Sequence, residues 1–256
     1  MSSPGFGISA SGSRASPPPA TGRGAAPSLW GSQEVDVNGQ DLEIALPLRP
    51  SHTISGIVVP AGTATSRQPS GQATLTIAPG GMPNILPGTN QAPIDADGRF
   101  TFTNVAPGTY TLRVPGTLKS SIVEGEDSLD FPFEFTGDRD ITDAVVTLLD
   151  ETKRTDLWGT VTDSSGKAVA DVTVVVAPID DRYWRANARR IVTMRSDPWG
   201  RVQTRTLPPG TYVAAAVDDL ENGGQFDPDL LRDVLARGAR VTLTESSATR
   251  QDFRVR

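Results

Sequence analysis

The stretch Val105-Ala106-Pro107-Gly108-Thr109-Tyr110-Thr111-Leu112 returns in the second half of the chain as Leu207-Pro208-Pro209-Gly210-Thr211-Tyr212-Val213-Ala214. Two further phrases return with it. Ile54-Ser55-Gly56-Ile57-Val58-Val59 answers to Leu157-Trp158-Gly159-Thr160-Val161-Thr162, and Asp97-Gly98-Arg99-Phe100 answers to Trp199-Gly200-Arg201-Val202. The three blocks keep their order, and the separation of Gly56 from Gly108 is nearly that of Gly159 from Gly210. Ordered self-similarity of this kind reads as two copies of one small module that differ in what their loops insert.

Composition sets the class of that module. A chain of 256 residues has room for two domains of about 100 residues, each with a modest core. With 21 Pro, 25 Gly and 6% aromatic residues, short strands joined by turns are favoured over long helices. The expected fold is all-β, with two antiparallel β-sandwiches in series. There is no cysteine, so burial of alternating apolar residues must hold the modules together without disulfides. A net charge of −6, with its cations dispersed, gives no electrostatic footprint for nucleic acid. No apolar run is long enough for a transmembrane segment, and the amino terminus lacks the pattern of a secretory signal.

The alternation of apolar and polar residues places strands at 53–59, 72–78, 99–104, 108–114, 130–135 and 143–149 in the first copy. The second copy gives strands at 156–162, 171–177, 190–195, 201–206, 211–217, 239–244 and 249–255. Leu42-Glu43-Ile44-Ala45-Leu46 also alternates like a half-buried strand. Upstream, Trp30 and Glu34-Val35-Asp36-Val37 read as the end of a strand, with Asn38-Gly39 as a hairpin turn. One segment has helical spacing: in Phe226 to Arg237, Asp227 is a capping residue, Pro228 suits the first helical position, and Gly238 closes the helix. In each Pro-Gly-Thr-Tyr turn, proline pre-sets the first position and glycine (Gly108, Gly210) takes the left-handed one. The following tyrosine (Tyr110, Tyr212) then enters a strand against the core.

With these blocks placed, the chain resembles the bacterial carboxypeptidase regulatory-like domain, a transthyretin-like β-sandwich akin to the starch-binding-like fold. The resemblance is carried by Gly56-Ile57-Val58 and Gly159-Thr160-Val161, by the Asp197-to-Arg201 turn with its Asp97-Gly98-Arg99 counterpart, and by the two Pro-Gly-Thr-Tyr turns. Val169-Ala170-Asp171-Val172-Thr173-Val174 is similar to a further strand of that family, with Asp171 where glycine is commoner. The resemblance implies a non-catalytic accessory module, typically part of a larger exported or envelope-associated protein. Residues 1–28, rich in Ser, Pro, Gly and Ala, are expected to be a disordered leader or linker. Residues 29–40 read as the tail of a preceding module, and 41–150 and 151–256 as the two copies. The chain is thus expected to be part of a longer protein truncated at its start.

Catalytic chemistry finds few residues to work with. A zinc peptidase needs several ligands, but His52 is the sole histidine. A Ser-His-Asp triad would need the same residue, and no nucleophile elbow occurs. No cofactor and no metal is implied. An isopeptide crosslink would draw on Lys119, Lys153 or Lys167, none of which lies in an apolar strand facing an Asn. Acidic groups at Asp180-Asp181, Asp218-Asp219-Leu220-Glu221 and Asp227-Pro228-Asp229 match no calcium-loop spacing, and a solvated rim with Asp227 as helix cap accounts for them. Tyr183 and Trp184 in an arginine-rich loop beginning at Arg182, and Trp199 at a turn tip, offer a sugar-stacking platform. Against this, Trp184 would serve as a lid on an open sandwich end, and Trp158 as core. The leading expectation is therefore a non-enzymatic structural or interaction module outside the cell or in its envelope. A carbohydrate-binding module using Trp199, Trp184, Tyr183 and Arg182 is the alternative, and the partner is an unspecified protein or polysaccharide.

Overall fold

The computed structural model describes residues 29–31, 41, 43–60, 70–78, 90–150, 152, 154–205, 207–217 and 220–255. A two-residue antiparallel pair, β1 (Leu29–Trp30) and β2 (Arg49–Pro50), precedes everything else. The expected turn at Asn38-Gly39 and the stretch Glu34 to Val37 lie outside the described residues. Of the strand expected at 42–46, residues 43–46 belong to no described strand; Ile44, Leu46 and Leu48 are exposed, and Leu46 to Leu48 lie against Gly31.

The first sandwich runs through β3 (His52–Val59), β4 (Gly71–Ile77), β5 (Gln91–Ile94), β6 (Arg99–Val105) and β7 (Gly108–Arg113). It is completed by β8 (Leu118–Val123), β9 (Glu126–Asp127), β10 (Phe133–Phe135) and β11 (Ile141–Leu148). Its sheets have the orders β10-β7-β4-β5 and β6-β3-β11-β8-β9. Inward residues of both, including Ile54, Leu75, Phe100, Phe102, Leu112 and Val146, form one core. Strands β5, β8 and β9 were not expected from the sequence. They are short or rich in Ser and Lys, and only their pairing partners make them strands.

The second sandwich uses β12 (Asp156–Thr162), β13 (Thr173–Pro178), β14 (Val192–Arg195), β15 (Arg201–Arg205) and β16 (Gly210–Val217). After these come α1 (Pro228–Arg237), β17 (Ala239–Leu243), β18 (Ala248–Arg250) and β19 (Phe253–Arg254). One sheet is β14-β13-β16-β17; the other is β15-β12-β18, with β19 pairing further along β12. The chain is thus all-β with one short helix. Most pairs are antiparallel, but the last strand of each sandwich lies parallel to its first: β11 on β3, and β18 and β19 on β12.

The helix forms where its caps require. Asp227 accepts a hydrogen bond from the Asp229 amide at 2.8 Å, Pro228 begins the first turn, and the Gly238 N–H donates to the Val234 carbonyl. Leu231 and Val234 are both fully buried, packed against Val175, Ala177, Val213 and Ala215 on the outer face of the β13–β16 sheet. Burial of each such side chain is worth about 1.5–3 kcal/mol. This explains the near-continuous apolar runs Val174-Val175-Val176-Ala177 and Val213-Ala214-Ala215-Ala216-Val217: this sheet is covered on both faces, so its strands need not alternate.

Two glycine-dependent contacts correspond between the sandwiches. A Cβ on Gly56 would lie 2.1 Å from the Ala144 carbonyl oxygen, and one on Gly159 only 1.7 Å from that of Gln251. In each case the last strand crosses directly over the glycine of the first. The Pro-Gly-Thr-Tyr turns depart from expectation at Gly108, whose backbone is not left-handed. Its Cβ site is instead filled by the Tyr110 ring, 3.2–3.3 Å away. The tyrosines brace their own turns, with the Tyr110 hydroxyl donating to Ala106 O at 2.8 Å and the Tyr212 hydroxyl to Pro208 O at 2.6 Å.

The β-turns that share an aspartate also correspond. Asp95 accepts from the amides of Asp97 and Arg99, as Asp197 does from those of Trp199 and Arg201. The partner of Asp197 in the first sandwich is therefore Asp95, in the same register that sets Asp97 opposite Trp199. We expect Gly159→Val to destabilise the second sandwich by about 3 kcal/mol or more, since backbone rather than a movable side chain blocks the new methyls. Urea unfolding followed by tryptophan fluorescence measures this.

Candidate functional site

The chemistry of this chain is concentrated where the two sandwiches meet. Each contributes a segment the other lacks. From the first comes the β8–β9 turn and the residues after it. Asp127 uses Oδ1 to accept from the amides of Ser121 (3.0 Å) and Leu129 (3.1 Å), which fixes its other oxygen outward. From the second comes the loop between β13 and β14. There Asp180 caps a single 3-10 turn at Asp181–Tyr183 by accepting from the Arg182 amide, and Ala188 and Ile191 anchor the far end in the core beneath α1.

Across the seam Asp130 is the centre. Its side chain is only 4% exposed. Arg189 donates from Nε to Asp130 Oδ1 (2.9 Å) and from Nη2 to Oδ2 (2.8 Å), while Arg190 Nε donates to Oδ2 at 2.9 Å. Arg189 also reaches Asp127 Oδ2 at 2.7 Å and the Lys119 carbonyl at 3.2 Å. Arg190 in turn donates to Pro209 O and the Tyr212 hydroxyl, both at 3.3 Å, tying the cluster to the second Pro-Gly-Thr-Tyr turn. Arg185 donates to the Asp130 carbonyl. Beside this, Phe131 stacks on Tyr183 at 5.1 Å, with Arg182 and Arg185 lying over the Phe131 ring at 4.9 and 4.4 Å. Lys119 pairs with Glu245 at 2.8 Å on the exposed margin.

Burial pushes the Asp130 carboxyl up, but hydrogen bonds from Arg189 and Arg190 and their positive charges outweigh it and hold it below the usual carboxylate range. Burial lowers both guanidinium groups, and their bonds to Asp130 more than restore them. Burial raises the Tyr212 phenol. Asp130, Arg189 and Arg190 are thus held in their charged forms and Tyr212 in its neutral form at neutral pH.

The residues expected to form a sugar platform are not brought to one face. Tyr183 packs against Phe131 beside the seam, and the exposed Arg182 lies over the Phe131 ring. Trp184 is half-buried, donates from Nε1 to Pro178 O at 2.9 Å, and packs against the core beneath α1. Trp199 stands apart at the β14–β15 turn, 67% exposed, with Arg201 5.8 Å above its ring. Trp158, expected in the core, is 41% exposed. It lies on the outer face of the β15-β12-β18 sheet under Arg250, 5.1 Å from the ring centroid. The alternation Leu157-Trp158-Gly159-Thr160-Val161 carried that signal, since Leu157 and Val161 are both buried and Trp158 has opposite parity. Trp158, Arg201, Gln203 and Ala248 line a shallow groove of about 400 Å³ on this face.

His52 pairs with Asp140 at 3.2 Å, and Asp140 also accepts from the Thr53 amide. The neighbouring Ser51 hydroxyl donates to Asn104 instead, so these residues form a strand-end clasp without a nucleophile. Among the described residues no group of three His, Cys, Asp or Glu is placed to hold a metal ion. Asp218 and Asp219 lie outside the described residues, as does Lys153, while Asp227 is used as the cap of α1. No described helix is long and apolar enough to cross a membrane.

No family model matches the chain, and no curated protein matches it. Among solved structures it is similar to GBS52, the minor pilin of Streptococcus agalactiae, at 12% identity and TM-score 0.35, covering 80% of this chain and 95% of that one. It is also similar to a streptococcal ancillary pilin (12%, TM-score 0.33, 91% and 76% covered). A third likeness is to the shaft pilin SpaA of Lactobacillus rhamnosus GG (11%, TM-score 0.30, 80% and 96% covered). At these scores the likenesses assign neither a shared architecture nor a role.

Asp130→Ala leaves two buried guanidinium groups facing each other and is expected to cost about 3 kcal/mol. Because the folded pKa of Asp130 lies below its unfolded value of about 3.9, its stabilisation is complete above that range and is lost as pH falls through the folded pKa. Urea midpoints of the wild type and Asp130→Ala should therefore differ most near neutrality and converge in acid.

Proposed function

We propose that this chain is a non-catalytic structural segment of a larger bacterial surface or envelope protein. Two copies of one carboxypeptidase regulatory-like module, at 41–150 and 151–256, are joined into a single stiff unit. The observation that carries this reading is the seam: a buried carboxylate held by two arginines ties the sandwiches together in addition to the covalent linker. Here charge pairs and a tilted ring pair bridge the two sandwiches. The motif correspondences, the matched glycine crossings and the matched tyrosine braces support a common module. The extracellular or envelope setting rests on the family resemblance.

A second reading has one observation in its favour. Trp158 and Trp199 are exposed, each under an arginine, and Trp158 and Arg201 line a shallow groove, which suits a sugar bearing acidic groups. Co-sedimentation with neutral and acidic polysaccharides, run beside Trp158→Ala/Trp199→Ala, decides it: retention lost in the variant supports this reading, and no retention removes it.

For the leading reading, calorimetry is decisive. The wild type is expected to unfold in one transition, because opening either sandwich exposes the charges of the other. In Arg189→Ala/Arg190→Ala the transition should split into two. A single, unshifted transition in that variant would show that the seam does not couple the sandwiches.

A further inference from the structure

The two sandwiches differ at one sheet edge. In the first, β8 pairs antiparallel with β11, with Val145 opposite Ile122 and Val146 opposite Ser121, and β9 continues the sheet beyond it. Ser121 and Val123 of β8 are fully buried. In the second, the chain leaving β16 forms α1, which covers the outer face of the opposite sheet. No described strand takes the place of β8. The equivalent of β11, the pair β18 and β19, therefore has β12 on one side and no described strand on the other.

The pairing pattern shows which groups are left over. Ser247 O, Gln251 N and Val255 N bond to β12, so in an alternating ladder the main-chain groups of Ala248, Arg250 and Arg254 point to the open side. Beside this edge a cleft of about 200 Å³ lies between Phe253 and Val255 and the Ala214–Ala216 segment of β16. Exposed edges of this sort are templates for another strand.

Ahead of the first sandwich, Glu43-Ile44-Ala45-Leu46-Pro47-Leu48 belongs to no described strand, and its Leu46–Leu48 end lies against Gly31. Its apolar residues recur at every second position and are 49%, 48% and 60% exposed. Glu43 has the opposite parity. Laid antiparallel on β18–β19, as β8 lies on β11, this segment would direct Ile44 and Leu46 into the cleft. Glu43 would then share the outer face with Arg250 and Arg254. Apolar periodicity, charge and the open main-chain groups match, and β8 provides a worked instance within the same chain.

We propose that residues 43–48 of one copy add as a strand to the β18–β19 edge of a second copy, joining chains head to tail. The interface is heterologous, with different surfaces on the two partners, so it extends into a row rather than closing as a two-fold dimer. It goes beyond the structural-segment reading and does not depend on the seam: a chain whose sandwiches move independently would still carry both surfaces.

The test uses the full chain in sedimentation velocity as concentration is raised. Ile44→Asp/Leu46→Asp removes the donor strand; both residues are exposed, so folding is unaffected. Arg254→Pro removes an outward N–H at the edge while sparing the bonds to β12, and circular dichroism melts confirm that each variant is folded. The wild type should grow through dimers to longer species, each variant alone should remain monomeric, and an equimolar mixture of the two should stop at the dimer. A wild type that stays monomeric at every concentration, including by docking the strand within its own chain, overturns the proposal. So does association that both variants retain.

Discussion

The Asp130 carboxylate is nearly removed from water, and a charge in that position is tolerable only if it is paired and hydrogen-bonded on every side. Three donors from two adjacent arginines meet that requirement. The consequence is positional. Arg189 and Arg190 can reach Asp130 only if the β13–β14 loop lies over the β8–β9 turn, so the electrostatic demand of one side chain fixes how one sandwich sits on the other. Much of the second sandwich is arranged to hold those arginines still: Trp184, Ala188 and Ile191 root the loop beneath α1, and the Tyr212 hydroxyl accepts from Arg190.

Such a seam contributes geometry more than net stability. A buried ion cluster of this kind returns little beyond its desolvation cost, yet is expensive to break from one side. That asymmetry favours one relative orientation over many, which suits a load-bearing or spacing element better than a hinge. The same allocation explains the other difference between the sandwiches. The first commits its extra strands, β8 and β9, to covering a sheet edge and presenting Asp127 and Asp130. The second commits its extra residues to α1, which buries the outer face of one sheet, while no described strand covers the β18–β19 edge of the other.

The architecture was largely legible in the sequence because its determinants are local. Alternation, turn glycines and the Asp227-Pro228 cap act within a few residues, and the strands and helix they specify are present within a residue or two at most positions. What was not legible depends on partners distant in the chain. Ser120 and Ser121 become strand residues only because β11 lies beside them. The segment 43–46 has a strand's pattern but belongs to no described strand. The arginine-rich loop read as a sugar site because Arg, Tyr and Trp together suit sugar stacking; only the position of Phe131 and Asp130, far away in sequence, shows that Arg182 and Tyr183 are occupied within the protein. Trp158 is the exception, since its parity against Leu157 and Val161 marked it as outward-facing.

Backbone ¹⁵N relaxation of the full chain tests most directly whether the seam makes the sandwiches one body. If it does, amides in β3–β11 and in β12–β19 will fit a single rotational diffusion tensor at neutral pH. Separate tensors with shorter correlation times for the two sets would mean that the sandwiches tumble independently and that the Asp130 cluster does not hold them.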